Sequence, residues 1–353
     1  MTVSTLGSNL LQQSKIAFTL RRIPTDSMKT LVQYDVMPQV GDVVMARVVN
    51  LGQHKHLQLV NGRRSRMFHD DIVIVAYGNR YAPDQYEALI PTKLGPCHLV
   101  AGGGIAAEVR HKSGKVGGAT RLEAIGLVGN NHGKVLNLSD NALPTLPWVK
   151  PHIPVIAIAG TAMNAGKTET VINLVKGLSL AGQRVGVLKV TGTGAGGDIW
   201  AAIDAGGTPV LDFTDAGLPS TYHIPHAQIE AAALNLISHA LQANVDAIVI
   251  ELADGLYQQE TSRLLSSPPF TSVLDGVIFA AGDAMGASAG VEWLKQRKLP
   301  VLGVSGLLTQ SPLAMKETHN VLKLPIFDMQ TLKEPTSAME LINPAPMLVN
   351  KVG

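Results

Sequence analysis

Residues 159–170 read AGTAMNAGKTET, with the apolar run VIAIA leading in and the helical pattern VINLVKGLSL following. Gly166-Lys167-Thr168 at the start of a helix is suited to holding phosphate. Backbone amides there point at an anion and the helix dipole favours its charge, while Lys167 neutralises the β and γ oxygens and the Thr168 hydroxyl can coordinate magnesium. The common phosphate loop places four residues between its first glycine and Gly-Lys-Thr. Here Gly160 leaves five, and Thr161 stands where that glycine would be. The contrasting reading is a Gly-rich turn whose lysine and threonine are a solvated first helical turn. The strand before and the helix after favour the phosphate reading, with Gly160, Thr161, Asn164, Ala165, Gly166, Lys167, Thr168 and Glu169 around the nucleotide.

Glu251 ends the apolar run AIVIE, and open α/β sheets bind ligands at the carboxyl ends of their strands. With Thr168 and Asp198 it would give magnesium hard oxygen ligands beside the phosphates. Asp198, in GTGAGGD, reads equally as a loop residue capping a helix. Lys189 ends VGVLKV, where a cation can bind a substrate carboxylate or a moving phosphoryl group, or simply snorkel from the sheet. Lys167 and Lys189 are the candidate catalytic cations. In DFTDAGLPSTYHIPH, Ser220, Thr221 and Tyr222 are candidates for a small polar substrate, although turn and capping chemistry explains Ser220 as well. Asp283, before a glycine turn, is a minor candidate.

These groups need a scaffold, and the texture of the chain supplies one. From residue 154 onward, VIAIA, VGVLKV, TPVLDF, AIVIE, GVIFAA and LPVLGVS alternate with helical stretches such as AQIEAAALNLISHALQ. Strands that are apolar throughout and alternate with helices imply a mostly parallel, doubly wound sheet covered on both faces. PTLPWVKPHIP holds four prolines in eleven residues and marks a linker at 146–153. Ahead of it, residues 1–145 carry short Val/Ile/Leu-rich runs between turn signals, which predicts a β-rich barrel or sandwich. Asn61-Gly62 signals a two-residue hairpin with both turn residues at positive φ. The sheet domain is expected over 154–335, with 336–353 as a tail.

AGTAMNAGKTET resembles the loop of dethiobiotin synthetase and its relatives, with Gly160, Thr161, Gly166, Lys167 and Thr168 matching. GQRVGVLKVTGTGAGGDIW is similar to that family's second strand through Lys189, Gly192 and Asp198. DAIVIELADGL matches a third motif at Glu251 and Gly255 and departs from it at Leu252 and Asp254. The resemblance covers about 154–330 and implies a P-loop fold, ATP or another nucleoside triphosphate, Mg2+, and a homodimer with substrate near the subunit interface. Ala162 stands where dethiobiotin synthetase carries aspartate and where the MinD-like branch carries an extra lysine. The reaction is therefore expected to differ from dethiobiotin synthesis, and a dimer switch built on that lysine is not expected.

A formal net charge of +2 on 353 residues gives no whole-protein field toward nucleic acid or membrane. A lone Cys97 excludes an intramolecular disulfide framework and fits a reducing compartment. No apolar run is long enough to span a bilayer, so a cytoplasmic protein without a membrane partner is expected. NGRRSRMF, AYGNRYAP and EVRHKSGK mix basic and aromatic residues as a small nucleic-acid-binding barrel does, but solvated β faces explain them at least as well. The leading expectation is an ATP-dependent, Mg-dependent, ligase-like enzyme that activates a small carboxylate by phosphoryl transfer. The alternatives are a regulatory or assembly NTPase whose β-rich domain binds a protein or nucleic acid, and an acyl transferase on the same fold.

Overall fold

The computed structural model describes residues 2–33 and 36–343. They form two compact units. The first comprises the chain up to Thr145 together with Gly192–Trp200 and Asp212–Pro225, and the second comprises Leu146–Thr191, Ala201–Leu211 and the chain from His226 onward.

In the first unit, five strands close into a ring: Val43–Asn50, Ile72–Tyr77, Ile105–Lys112, Pro96–Ala101 and Thr120–Gly129, the last pairing back to the first. Only the Ile72–Tyr77 and Ile105–Lys112 pair within the ring is parallel. Ring closure decides for a barrel over a sandwich. Strand side chains alternate with a period of two, so each strand feeds two cores. Val44, Ala46, Val48, Val73, Val75, Tyr77, Cys97 and Leu99 share one buried cluster, while Val43, Met45, Ile74, Ala76 and Val128 share another. Burial pushes the Cys97 thiol up to about 12, which leaves it an unreactive packing group. His56–Gln58 and Arg64–Arg66 do pair as a hairpin. Its turn differs from the two-residue expectation: Leu59 N donates to Arg63 O at 2.9 Å, and only Gly62 takes positive φ, at 83°.

The two segments that the first unit borrows from later in the chain are tied down inside it. Gly196 N donates to Gln58 Oε1 at 2.7 Å, and Trp200 meets Phe18 edge-on at 6.3 Å between ring centroids. Arg21 binds Asp212 at 3.0 Å, along with Asp215 and Thr214.

In the second unit, a six-stranded sheet has the order Val210–Asp212, Val185–Thr191, Ala247–Leu252, Val155–Gly160, Gly276–Ala280, Val301–Ser305. The five strands from Val185–Thr191 to Val301–Ser305 run parallel. The three central ones are buried along their whole length, as sheets covered on both faces require. Helix Lys167–Leu180 lays Val171, Leu174, Val175 and Leu178 onto this core.

The end of the chain departs from the expected tail. Pro335–Ile342 is a helix with Pro at its first turn, and it adds Ala338, Leu341 and Ile342 to the same core. Residues 344–353 of that expected tail lie outside the described residues. Among the described residues no helix is long and apolar enough to cross a membrane.

Candidate functional site

The loop after Val155–Gly160 is held at both ends by backbone bonds. Thr161 N donates to Ala280 O at 3.0 Å, and Leu307 N donates to Ala165 O at 3.0 Å. Asn164 and Gly166 take positive φ, 64° and 94°, which turns the chain into the helix that starts at Lys167. A glycine suits the second position, because a Cβ on Gly166 would lie 2.9 Å from the Gly306 Cα. Ala165 is buried, whereas Asn164 and Glu169 are exposed. The first-turn amides of an α-helix have no partner within it, so this turn presents donors to an anion.

Lys167 is buried and folds back over the loop. Its Nζ donates to Ala162 O at 2.8 Å and to Asp254 O at 2.5 Å. Thr168 Oγ1 donates to Glu251 Oε1 at 3.1 Å, and Lys189 Nζ lies 3.5 Å from the same carboxylate oxygen. Sheet register explains the meeting: Glu251 pairs with Ile158 on the phosphate-loop strand on one side and with Lys189 on the other. The three parallel strands thus deliver a loop, a carboxylate and a cation to their common carboxyl end, where such sheets bind ligands.

Thr168, Lys189 and Glu251 are therefore brought together, alongside Gly160, Thr161 and Lys167. Asp198 belongs to the first unit, where it sits in the first turn of the helix Gly196–Ala205. Ser220, Thr221 and Tyr222 belong to that unit too. Ser220 Oγ donates to Asn79 O, Thr221 Oγ1 accepts from Gly192 N at 2.9 Å, and Tyr222 OH donates to Glu87 Oε1 at 2.9 Å. These bonds give the Ser220 and Thr221 hydroxyls a part in shaping their own loop. Asp283 caps the helix Ala284–Gln296 by accepting from Gly286 N at 2.7 Å, the plain role a pre-glycine aspartate has.

The sequence motifs reach one of the residues that close the site from behind, Gly255, and miss the others. Gly255 runs so near the loop that a Cβ there would lie 2.2 Å from Thr161 O. Thr191, Ala253, Thr261, Gly306 and Leu307 contact the loop or its supports, and only the glycine after each strand end hinted at this.

Magnesium is the metal that a phosphate loop implies, and the donor set fits it: a hydroxyl and a carboxylate oxygen 3.1 Å apart. Magnesium is commonly held by one or two protein oxygens, with phosphates and water completing its shell. Among the described residues no group of three or more His, Cys, Asp or Glu is placed to hold a metal.

No known protein family matches the chain, and no curated protein matches it either. Similar folds occur among solved structures. The signal recognition particle 54 kDa protein from Aeropyrum pernix, in complex with GDP, is 17% identical at a TM-score of 0.39, over 54% of this chain. This chain spans 44% of that protein's length. A DUF1611 family protein from Anabaena variabilis is 14% identical at a TM-score of 0.39, covering 60% of this chain and 65% of its own. The septum site-determining protein MinD from Pyrococcus horikoshii, complexed with Mg-ADP, is 15% identical at a TM-score of 0.37, over 56% of this chain and 98% of its own.

Proposed function

We propose that the second unit binds a magnesium–nucleoside triphosphate, with ATP the first candidate, and transfers its terminal phosphoryl group to activate a small carboxylate. One observation carries this reading: a phosphate-loop helix start shares a single carboxylate, Glu251, with a lysine from the neighbouring strand. Lys167 and the helix-start amides would cradle the phosphates, and Thr168 and Glu251 would hold the metal. Magnesium, when bound, would supply charge neutralisation at the phosphate oxygens. Lys189, at the same strand end, would meet an acceptor carboxylate or the moving phosphoryl group. Catalysis of this kind is mostly positioning and electrostatic stabilisation. A homodimer, implied by the resemblance to dethiobiotin synthetase, belongs to the same proposal.

A second reading, a regulatory NTPase with a macromolecular partner, draws on a different observation. Tyr257 and Met285 are 86% and 85% exposed, and each follows or precedes a glycine, Gly255 or Gly286, packed near Thr161. Exposed large side chains beside a nucleotide loop suit a surface that meets a partner.

Calorimetric titration of Mg-ATP into the full chain and its Lys167→Ala variant tests the shared core, with tight binding expected only in the unmodified protein. Equal binding by both would overturn it. Phosphate release stimulated by small carboxylates favours the first reading, and stimulation only by a macromolecule favours the second.

A further inference from the structure

Two successive carbonyls after the strand Ala247–Leu252 serve different groups. The Ala253 carbonyl accepts from two hydroxyls, that of Thr191 at the end of the adjacent strand and that of Thr261, 2.5 Å away, on the helix Gln259–Leu264. Both threonines are at most 1% exposed. A buried carbonyl held by two buried hydroxyls cannot swing away without stranding them, so the peptide is fixed. The next carbonyl, that of Asp254, is thereby aimed at the phosphate loop, where it accepts Lys167 Nζ at 2.5 Å. Gly255, with no side chain, then passes hard against Thr161.

A lysine ammonium offers three donors. Phosphate oxygens arriving at Lys167 compete with the carbonyls it already holds, Ala162 O and Asp254 O. We infer that Thr191 and Thr261 are positioning residues for Lys167. Acting through Ala253, they hold the Asp254 carbonyl as a stand-in for a phosphate oxygen and so set how tightly the loop takes its nucleotide. This inference rests on the nucleotide reading proposed above and deepens it.

A purely structural role, closing the 253–261 segment onto the sheet, gives the opposite sign. If the threonines only brace the fold, their loss lowers stability and leaves nucleotide affinity unchanged or weaker. If they hold a competitor of phosphate in place, their loss tightens binding.

The experiment is Mg-ATP titration of the full chain carrying Thr191→Val, Thr261→Val or both, with the matching serine variants as rescue. Valine preserves volume and removes the donor. The double valine variant is expected to bind about threefold to tenfold more tightly, the range that partial loss of one charge-assisted hydrogen bond gives. The serine variants return affinity to that of the unmodified protein. Folded valine variants with unchanged or weaker affinity overturn the proposal. Should the double variant not fold, amide hydrogen exchange over 253–258 in the unmodified protein decides. Added Mg-ATP raises exchange there if Lys167 lets go of Asp254, and unaltered exchange refutes the idea. The two layers also separate cleanly: Lys167→Ala binding like the unmodified protein sinks the nucleotide reading, whereas Lys167-dependent binding that ignores the threonines sinks only this inference.

Discussion

Thr168 Oγ1 donates to Glu251 Oε1 at 3.1 Å, which ties the first helical turn after the phosphate loop to the end of the neighbouring strand. The same oxygen lies 3.5 Å from Lys189 Nζ, so a buried carboxylate answers both a hydroxyl and a cation. Exchanging Glu251 for glutamine keeps the shape and an acceptor for Thr168 but removes the charge that the proposed magnesium would need. Glu251→Gln is expected to lose about tenfold or more in Mg-dependent turnover, with the magnesium midpoint moved to higher concentration. Identical magnesium titrations of the two proteins would remove Glu251 from the metal site.

Arg21 is the ionic anchor of the first unit. Its guanidinium meets the carboxylates of Asp212 and Asp215, whose side chains are 1% and 5% exposed, and Arg22 lies 3.6 Å from Asp215. Burial and the neighbouring Asp212 raise the Asp215 carboxyl above its ordinary range, and Arg21 opposes that rise. Arg21→Met strands two buried carboxylates, and breaking a buried pair in this way costs about 3–5 kcal/mol. Denaturant unfolding of the variant should register that loss, and adding Asp215→Asn should recover part of it. A loss below about 1 kcal/mol would mean that the cluster is already well solvated.

The parallel sheet was legible because its central strands are apolar along their length except at Glu251, a pattern that burial on both faces produces. The strand, loop and helix around the proposed phosphate site were legible because the signal is local: seven residues, Gly160 to Gly166, run unbroken from the strand end to the helix start. The meeting of Thr168, Lys189 and Glu251 was legible in part, since each ends or follows a strand, but only the sheet register fixes which carboxylate meets which cation. What could not be read is long-range. Asp198 and Ser220–Tyr222 stand between strands of the parallel sheet in sequence, yet they belong to the first unit, where Gly196, two residues before Asp198, bonds Gln58, and Ser220 and Tyr222 bond Asn79 and Glu87, over a hundred residues earlier. Side-chain periodicity carries no trace of such pairings. The final helix was hidden for a related reason: PTSAMELI is too short for a clear helical period, and its order comes from docking on helix Lys167–Leu180.

That docking makes Gly177 a sensitive position. A Cβ there would lie 2.3 Å from Leu332 O and 2.8 Å from the Ala338 Cβ. In an exposed helix, glycine to alanine would gain roughly 0.5–1 kcal/mol in propensity. Overpacking a filled interface costs about 1–3 kcal/mol, so the clash wins and Gly177→Ala is expected to destabilise the second unit by about 1–2 kcal/mol. Thermal unfolding measures it, and a stabilised variant would show that the helix Pro335–Ile342 does not rest on this face.

His54 gives the first unit a pH dependence with a definite sign. Burial, with Arg80 nearby, lowers its imidazole pKa from 6.5 to about 4, and its Nδ1 is buried without a hydrogen-bond partner. The folded protein therefore keeps His54 neutral at pH values where the unfolded chain protonates it. Between pH 6.5 and about 4 the unfolded state binds more protons, so stability falls as the solution is acidified through that window. A difference of this size is worth up to about 3 kcal/mol. His98, also lowered by burial, acts in the same direction, whereas the raised carboxyls of Asp42 and Asp215 act against it. A comparison with His54→Phe isolates the one group, because the other three titrate in both proteins. The stability advantage of the unmodified protein over His54→Phe should shrink by about 3 kcal/mol from pH 7 to pH 4. A difference that stays flat across those units would mean that the folded protein protonates His54 as readily as the open chain does.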